Sequence, residues 1–502
     1  MDNQLLKNLE RLAGDDRALD HPEEVQEKVL LNILKKNRTT VFAQEHSLDE
    51  VDSVDAYLKR MPITEYSNYE PYIEQMKSAP NILLSKDFPR WVKTSGTLKS
   101  PKVYPLPAEM IEHFGQTLAK VVVSFLEEEP VSQVLLGKML MVVADVVIGY
   151  LAGKPVGYIS GIVSHDVQKI EGIQGMFTPS CEVLAMENWE ARWLEMTRCC
   201  SRENVTMTCS TPPVLLSYLR RIANEYSSAL NLPEDIAKIW PNLVLITGSG
   251  IEMAPYEDQY KQLLGDHLCC REFYCATEGF FAYQKDEKEG LVPILDHIFY
   301  EFIPLKEWSA AEGDYKTCEF TRLTYPQVHT NEDYVMAITT PAGLYSYVLG
   351  DIVRFLNSNR IICVSRIGWE SNATGERLSK MHISAMRKNV EDVLGIEISN
   401  LVAAVKEDPL RYVFACEFKE NTDVNEVLET MDRSLREINS QYDWLRERDM
   451  LAHPEIVILE PGAFDRYVLN QRKLSLGQVK PPVFADPKFI DQLKSRTEGG
   501  SP

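Results

Sequence analysis

Short apolar runs alternate with longer amphipathic stretches through the middle of the chain, and this alternation restricts the folds open to it. The runs NLVLIT (242–247), CREFYCA (270–276) and YVMAITT (334–340) predict strands, as does the longer run over residues 131–145. The intervening segment PPVLLSYLRRIANEYSSAL (212–230) has the apolar spacing of a helix. Strands that alternate with helices predict an α/β fold with a largely buried sheet.

The chain changes character near Arg366, within a stretch (362–379) rich in polar and turn residues. Beyond it the pattern predicts a helix over 382–395, further strands, and a second helix near 424–440. We therefore predict two domains: a large N-terminal domain of residues 1–365 with buried sheets and flanking helices, and a smaller α+β C-terminal domain of residues 366–502.

The charge of the chain excludes several classes of partner. It has 74 acidic and 53 basic residues, a formal net charge of -21. Such a field repels phosphate, so general binding to nucleic acid or an anionic membrane is excluded, and small-molecule substrates are favoured. The most apolar stretch (139–153) is interrupted by Asp145 and too short to span a bilayer. The N-terminus lacks the apolar region of a signal peptide, so we expect a cytoplasmic protein.

Cysteine spacing gives no support for a metal or disulfide framework. None of the ten cysteines forms a CxxC pair, which favours free thiols in a reducing compartment. His267 lies close to Cys269 and Cys270, but adjacent cysteines rarely ligate one ion together, so we discount a zinc site there.

A first candidate phosphate site is the segment TSGTLKSPK, residues 94–102. Hydroxyl residues surround Gly96, whose backbone permits close approach, and Lys102 ends the segment. The stretch from Arg90 to Lys102 contains four basic residues and no acidic one, against the trend of the chain. Taken alone, the segment could equally be a solvated turn between two strands.

Two further motifs contain acidic residues beside glycine. In YCATEG, Thr277 and Glu278 follow an apolar run, where a hydroxyl could contact phosphate and a carboxylate could bind Mg²⁺. In GLYSYVLGD, Asp351 could accept hydrogen bonds from ribose hydroxyls. The alternatives are an ordinary turn for Glu278 and a Gly-Asp hairpin turn for Asp351.

A basic segment without acidic residues occurs near the C-terminus. It runs from Arg466 to Lys480, and the last lysine follows Gly477 in GQVKPP. A lysine in a glycine-containing loop can contact an anionic transition state, whereas the alternative is a solvated basic face.

The chain contains, in this order, TSGT with a following PK, YCATE, GLYSYVLGD and a late lysine. This series resembles the motifs of the acyl-adenylate-forming enzymes, which include acyl-CoA ligases and firefly luciferase. Within that superfamily the chain most resembles the auxin-responsive acyl-acid amido synthetases of plants and their bacterial relatives. The cues are MPITEYSNYEPYIEQM (61–76), TGSGIE (247–252), FYEFIPL (299–305), GLYSYVLGDIVR (343–354) and GQVKPP (477–482). The resemblance extends over nearly the whole chain.

The resemblance implies an enzyme with a mobile C-terminal domain that uses ATP and Mg²⁺. A carboxylic acid would attack the α-phosphorus of ATP and release pyrophosphate, and an amine, commonly of an amino acid, would then displace AMP to form an amide. Two alternatives remain: a thioester ligase, such as an acyl-CoA ligase, that shares the first step, and a family member that binds nucleotide without turnover.

The resemblance also implies roles for individual residues. The implied catalytic residues are Lys102, Glu278 and Lys480, with Glu278 as the Mg²⁺ ligand. The implied nucleotide-binding residues are Thr94, Ser95, Gly96, Thr97, Lys102, Gly248, Ser249, Thr277, Glu278, Asp351 and Arg366. The chain departs from the superfamily at Leu98 and Lys99, where small residues are usual, and in the three-residue spacing of Gly477 and Lys480.

Overall fold

The computed structural model describes residues 3–14, 17–94, 102–250, 253–311, 318–367, 378–407, 409–420, 422–447, 450–470 and 482–494. The chain divides into two compact units. Within the described residues, the first unit comprises those up to Leu349 together with Val353–Ile362, and the second comprises Gly350–Ile352 and the residues from Cys363 onward. The domain boundary between residues 365 and 366 stays a prediction.

The helices before residue 311 surround the sheets of the first unit. They are α1 Asn3–Ala13, α2 Pro22–Asn37, α3 Val41–Glu45, α4 Val54–Arg60, α5 Tyr66–Met76, α6 Ala108–Glu128, α7 Ile159–Asp166, α8 Cys181–Leu184, α9 Trp189–Cys200, α10 Pro212–Arg221, α11 Ser227–Leu230, α12 Ile236–Ile239, α13 Ala254–Leu264 and α14 Leu305–Ala310. A π-helical turn, Ile222–Tyr226, joins α10 to α11, so the helix predicted over 212–230 is confirmed with one local irregularity.

The strands up to residue 366 form three sheets. They are β1 Arg90–Lys93, β2 Val103–Leu106, β3 Lys138–Val142, β4 Gly149–Leu151, β5 Lys154–Tyr158, β6 Phe177–Thr178, β7 Val205–Ser210, β8 Leu245–Ser249, β9 Cys269–Ala276, β10 Gly279–Tyr283, β11 Val292–Pro293, β12 Phe299–Pro304, β13 Asp333–Thr339, β14 Tyr347–Asn357 and β15 Arg360–Arg366. The sheet orders are β2-β1-β5-β4, β11-β10-β9-β8-β7-β3-β6 and β12-β13-β14-β15.

The central part of the seven-stranded sheet is parallel, and this fixes where a site can form. Strands β6, β3, β7, β8 and β9 all run in the same direction, whereas β10 and β11 continue antiparallel. Residues of β7 and β8 are nearly all buried, as expected for a parallel sheet covered on both faces. The carboxyl ends of the parallel strands therefore meet at one edge, the usual position of ligands in such sheets.

The long apolar run over residues 131–145 is only partly a strand. Its first half contains a short 3₁₀ turn (Val134–Leu136), and β3 begins at Lys138. The strand starts there because its partner β7 begins nearby: the Lys138 amide donates to the Asn204 carbonyl at 2.7 Å. Apolar character alone did not indicate where this pairing begins.

The second unit contains one four-stranded sheet with helices on both faces. Its elements are α15 Lys380–Leu394, β16 Ile398–Glu407, β17 Leu410–Phe418, α16 Val424–Ile438, α17 Ser440–Glu447, β18 Glu455–Leu459, α18 Ala463–Asn470, β19 Phe484–Ala485 and α19 Pro487–Lys494. The sheet order is β18-β17-β16-β19. Helices α15 and α16 contribute to the core on one face, and α18 and α19 to the core on the other, which confirms the predicted α+β character.

A buried ion pair lies in the first unit behind the turn that leads into β14. The Glu301 side chain is 0% exposed and accepts a hydrogen bond from Arg322 Nε at 2.6 Å. Arg322 also donates to the carbonyls of Leu58 and Met61, at 2.7 and 2.5 Å, and Ser346 Oγ donates to Glu301 at 2.7 Å. This network joins β12 to the segment after α4 and to the turn before β14.

We expect Arg322→Met to lower the free energy of unfolding by about 3–5 kcal/mol, because a buried carboxylate would lose its counter-ion. Urea denaturation monitored by circular dichroism measures the change. The matched control is Arg354→Met, which removes the more exposed pair with Asp333 and should cost about 1 kcal/mol or less. Equal losses in the two variants would contradict the importance of the buried pair.

Candidate active site at the carboxyl edge of the parallel sheet

Thr277 and Glu278 form the two-residue turn between β9 and β10. Ala276 pairs with Gly279 across this turn, so both residues lie at the carboxyl end of a parallel strand. Glu278 is only 6% exposed, and its carboxylate lies near Tyr104. Glu278 is therefore in a turn, as the alternative had it, but the turn is buried.

The neighbouring strand β8 ends at the same edge with Gly248 and Ser249. A Cβ atom at Gly248 would lie 2.4 Å from Met253 Cε and 2.9 Å from the Ser210 carbonyl, so the strands approach closely there. Gly250 follows with φ +87°, a conformation that favours glycine. Ser249 Oγ accepts a hydrogen bond from Cys275 Sγ at 3.2 Å. The Ser249 hydroxyl and Gly250 thus lie at the end of β8, the strand beside β9, which Thr277 and Glu278 follow.

Thr94 and Lys102 enclose the candidate phosphate segment. The Thr94 amide donates to the Lys102 carbonyl, and the Lys102 amide donates to Thr94 Oγ1, each at 2.9 Å. These bonds extend the pairing of β1 with β2 by one residue. The predicted residues Ser95, Gly96 and Thr97 lie between them, outside the described residues.

The Lys102 side chain points to Tyr347, the first residue of β14. Lys102 Nζ lies 2.6 Å from the Tyr347 hydroxyl oxygen. It also lies 5.5 Å from the ring centroid of Tyr66 and 5.3 Å from that of Tyr347, within the range of cation–π attraction. Two aromatic rings therefore lie beside the Lys102 ammonium group.

Tyr104 lies between this lysine and Glu278. Its hydroxyl lies 2.8 Å from the Tyr347 hydroxyl. Burial, followed by the nearby Glu278 charge, raises the pKa of Tyr104 well above its usual value, so the phenol keeps its proton. Lys102 and Glu278, from two separate motifs, thus lie near the same pair of tyrosines.

Sequence analysis did not select these two tyrosines. The available signals were weak: Tyr104 follows Lys102 by two residues, and Tyr347 stands inside the GLYSYVLGD motif. Nothing in either local pattern indicates that their hydroxyls meet.

Asp351 belongs to the second unit and lies on β14, with 8% of its surface exposed. The hairpin turn of this strand lies at residues 358–359, so the alternative of a Gly-Asp hairpin turn is wrong. The preceding Gly350 has φ +92°, and its carbonyl accepts a hydrogen bond from the Ile367 amide at 2.6 Å. The Asp351 backbone thus lies within β14, next to a glycine in a conformation that departs from a regular strand.

Two other predicted site residues are described only in part or not at all. Arg366 is the last residue of β15, and the description of the structure covers its backbone but not its side chain. Lys480 lies outside the described residues. Their roles stay predictions.

No group of three or more His, Cys, Asp or Glu side chains in the described part of the chain is arranged to hold a metal ion. His267, next to the paired cysteines, has Nε2 3.0 Å from the Leu243 carbonyl. Over the same described residues, no helix has the length and apolar character needed to cross a membrane.

Comparison with protein families finds three consecutive matches. The GH3 family N-terminal domain matches residues 16–231, the central domain matches 291–361, and the C-terminal domain matches 381–488.

Among known proteins, the chain is similar to indole-3-acetic acid-amido synthetase GH3.8 of Oryza sativa subsp. indica. The two are 21% identical over 97% of this chain and 93% of the relative. It is also similar to jasmonoyl–L-amino acid synthetase JAR6 of Nicotiana attenuata, at 24% identity over 98% and 97% of the two chains.

Solved structures agree on the fold. The GH3.15 acyl acid amido synthetase superposes with a TM-score of 0.79 at 18% identity, over 97% of this chain and 94% of that one. A 2-hydroxyisobutyryl-CoA ligase gives a TM-score of 0.59 at 11% identity, over 93% and 92%. These matches confirm the predicted α/β fold class.

The three family models and the full-length relatives confirm the prediction drawn from the motifs: the chain belongs to the GH3 family, whose members named above are acyl-acid amido synthetases.

Proposed function

We propose that the chain is an ATP- and Mg²⁺-dependent acyl-acid amido synthetase. It activates a carboxylic acid as an acyl adenylate and then transfers the acyl group to an amine, the amino group of an amino acid. The observation that carries the proposal is that Glu278, at the carboxyl edge of the parallel sheet, lies near Tyr104, which contacts Tyr347 and through it Lys102. A carboxylate and a lysine near the usual ligand-binding edge of such a sheet support a nucleotide and metal site there.

The residues present fit Mg²⁺. This ion commonly binds to one or two protein carboxylates and takes its remaining ligands from water and substrate phosphates. Glu278, which is buried at the carboxyl end of a strand, would supply one such carboxylate. When bound, Mg²⁺ would neutralise charge on the phosphates.

The first step joins two anions, so its barrier is electrostatic. The substrate carboxylate attacks the α-phosphorus of ATP, and pyrophosphate leaves with the bond electrons. Lys102 and, by resemblance, Lys480 would stabilise the negative charge that develops. Thr277 would contact the α-phosphate, and Thr94, Ser95, Gly96 and Thr97 would enclose the others.

The remaining residues bind the nucleoside. Gly248 and Ser249 would, by the resemblance, line the adenine side, and the space beside Gly248 would not admit a Cβ atom. Asp351 would accept hydrogen bonds from the ribose hydroxyls, with Arg366 nearby. In the second step the amine attacks the acyl carbon and AMP leaves, which requires no covalent nucleophile from the protein.

A panel assay tests the proposal. The protein is given ATP, Mg²⁺ and each of a set of acids that includes indole-3-acetic acid and jasmonic acid, since relatives named for both match the chain. Each acid is tested alone, with amino acids, and with CoA. We expect acid-dependent pyrophosphate release and, with an amino acid, an amide detected by mass. A thioester without any amide would favour the ligase alternative, and nucleotide binding without turnover would favour a non-catalytic family member.

A further inference from the structure

Two thiols are in contact at the end of α9, outside the candidate active site. Cys199 and Cys200 are the last two residues of this helix, and their Sγ atoms lie 3.7 Å apart. Successive side chains of a helix point about 100° apart, so adjacent residues do not normally face each other. The contact between these two sulfur atoms is therefore a particular feature of this helix end.

The two thiols differ in how firmly they are held. Cys200 is 0% exposed, and its Sγ lies 3.3 Å from Thr178 Oγ1 on β6. The Cys200 carbonyl accepts a hydrogen bond from Trp240 Nε1 at 2.9 Å. Cys199 is half-buried, and its Sγ lies 3.4 Å from the Met196 carbonyl oxygen. The pair thus consists of one anchored thiol and one thiol that a small molecule can reach.

The backbone disfavours a disulfide between these residues. Adjacent Cα atoms lie ~3.8 Å apart, whereas disulfides join Cα atoms about 4.4–6.8 Å apart. A single atom bonded to both sulfurs avoids this conflict. Two bonds of about 2.3 Å to sulfur, as Zn²⁺ forms, span 3.7 Å at an angle of about 107°, close to tetrahedral. Such an atom fits between the sulfurs without a change in the helix.

The number of thiols selects the kind of atom. Structural zinc sites take four protein ligands, and this pair supplies two. Thiolates prefer soft acceptors. An arsenic(III) compound with one organic substituent has two bonds left for sulfur, so a pair of thiols completes its bonding.

The contact also favours the ionised form of the exposed thiol. A hydrogen bond from the Cys200 thiol lowers the pKa of Cys199 to about 7. The same contact and burial raise the pKa of Cys200. Burial raises the pKa of Cys269 to about 11, so that thiol keeps its proton at neutral pH. The thiolate is the reactive form of cysteine, so Cys199 is the first of the pair to react.

We propose that Cys199 and Cys200 form a dithiol site for monosubstituted arsenic(III) compounds, R–As(OH)₂. Cys199 displaces one hydroxyl group as water, and Cys200, in contact with it, then displaces the second. Two As–S bonds form, two As–O and two S–H bonds break, and two water molecules leave. No atom changes its oxidation state, so the step requires neither an oxidant nor a reductant.

Competition with a monothiol tests the site. The reduced full-length protein is treated with phenylarsine oxide, which hydrates to C₆H₅–As(OH)₂, in the presence of excess glutathione, and intact mass reports the adduct. We expect wild type to retain one arsenical, because the second As–S bond forms within the same molecule. Cys199→Ser and Cys200→Ser should each retain it at least about a hundredfold more weakly, as expected when a two-point attachment becomes a single one.

Cys269→Ser is the matched control. Cys269 and Cys270 are also adjacent, but they lie on β9, where successive side chains point to opposite faces of the sheet. This variant should retain the arsenical as wild type does. Cys199 is half-buried, so Cys199→Ser keeps the test valid if Cys200→Ser fails to fold. A wild-type protein without an adduct, an adduct that persists in Cys199→Ser, or one that is lost in Cys269→Ser would each overturn the proposal.

Discussion

Glu278→Gln should lower acid-dependent pyrophosphate release by about 10²–10³-fold, the largest effect that we expect from a described residue. Glutamine has nearly the same shape, so packing is retained. It lacks the negative charge that would hold Mg²⁺ at the α-phosphate, and the metal would supply several kcal/mol of charge stabilisation in the transition state. The Mg²⁺ concentration that gives half of the maximal rate should also rise.

Pyrophosphate release measured across a Mg²⁺ titration checks this prediction. The matched control is Glu417→Gln in the second unit, because Glu417 is 7% exposed, close to the 6% of Glu278, and accepts hydrogen bonds from Gly462 and Asn400. It should retain near wild-type activity. If Glu278→Gln also stays within a few-fold of wild type at every Mg²⁺ concentration, Glu278 is not the metal ligand.

Lys480→Ala should lower adenylation about a hundredfold or more and spare the second half-reaction when a synthetic acyl adenylate is supplied. This lysine lies outside the described residues, and the prediction rests on the resemblance of GQVKPP. In the first step the ammonium group would face the α-phosphate while negative charge builds on it. An acyl adenylate has already passed that transition state and no longer needs the contact.

The measurement is release of AMP from the acyl adenylate, with mass detection of the product formed with an amino acid or with CoA. Lys473→Ala is the control, because it removes a lysine from the same basic segment and should leave both steps intact. Equal loss of both steps in Lys480→Ala would argue for a structural role. A thioester with CoA, and no amide with any amino acid, would promote the thioester ligase alternative.

The sequence alone determined the fold class, because the signals for it are local. The runs at 242–247 and 270–276 became β8 and β9, and the helical spacing over 382–395 became α15. The spacing of apolar residues and the glycines that end strands are features of residues adjacent in the chain. They can therefore be recognised in the sequence without knowledge of the fold. The order of the motifs was likewise sufficient to identify the family.

The sequence also indicated that Thr277 and Glu278 end a strand, but only the tertiary structure shows that Glu278 is buried and near Tyr104. Burial depends on elements that cover the turn from elsewhere in the chain. Asp351 is a similar case: Gly350-Asp351 looks like a hairpin turn locally, yet pairing within the sheet keeps both residues inside β14.

The contacts that connect the motifs were decided by the fold alone. Tyr104 and Tyr347 are separated by 243 residues, and their hydroxyls meet at 2.8 Å only because β2 and the start of β14 are brought together. The buried pair of Glu301 and Arg322 arises in the same way, from a strand and a loop whose local patterns do not specify each other. Local propensity fixes which segments become strands and helices. Which side chains then touch depends on the packing of the whole unit, because each such contact requires the simultaneous placement of distant segments.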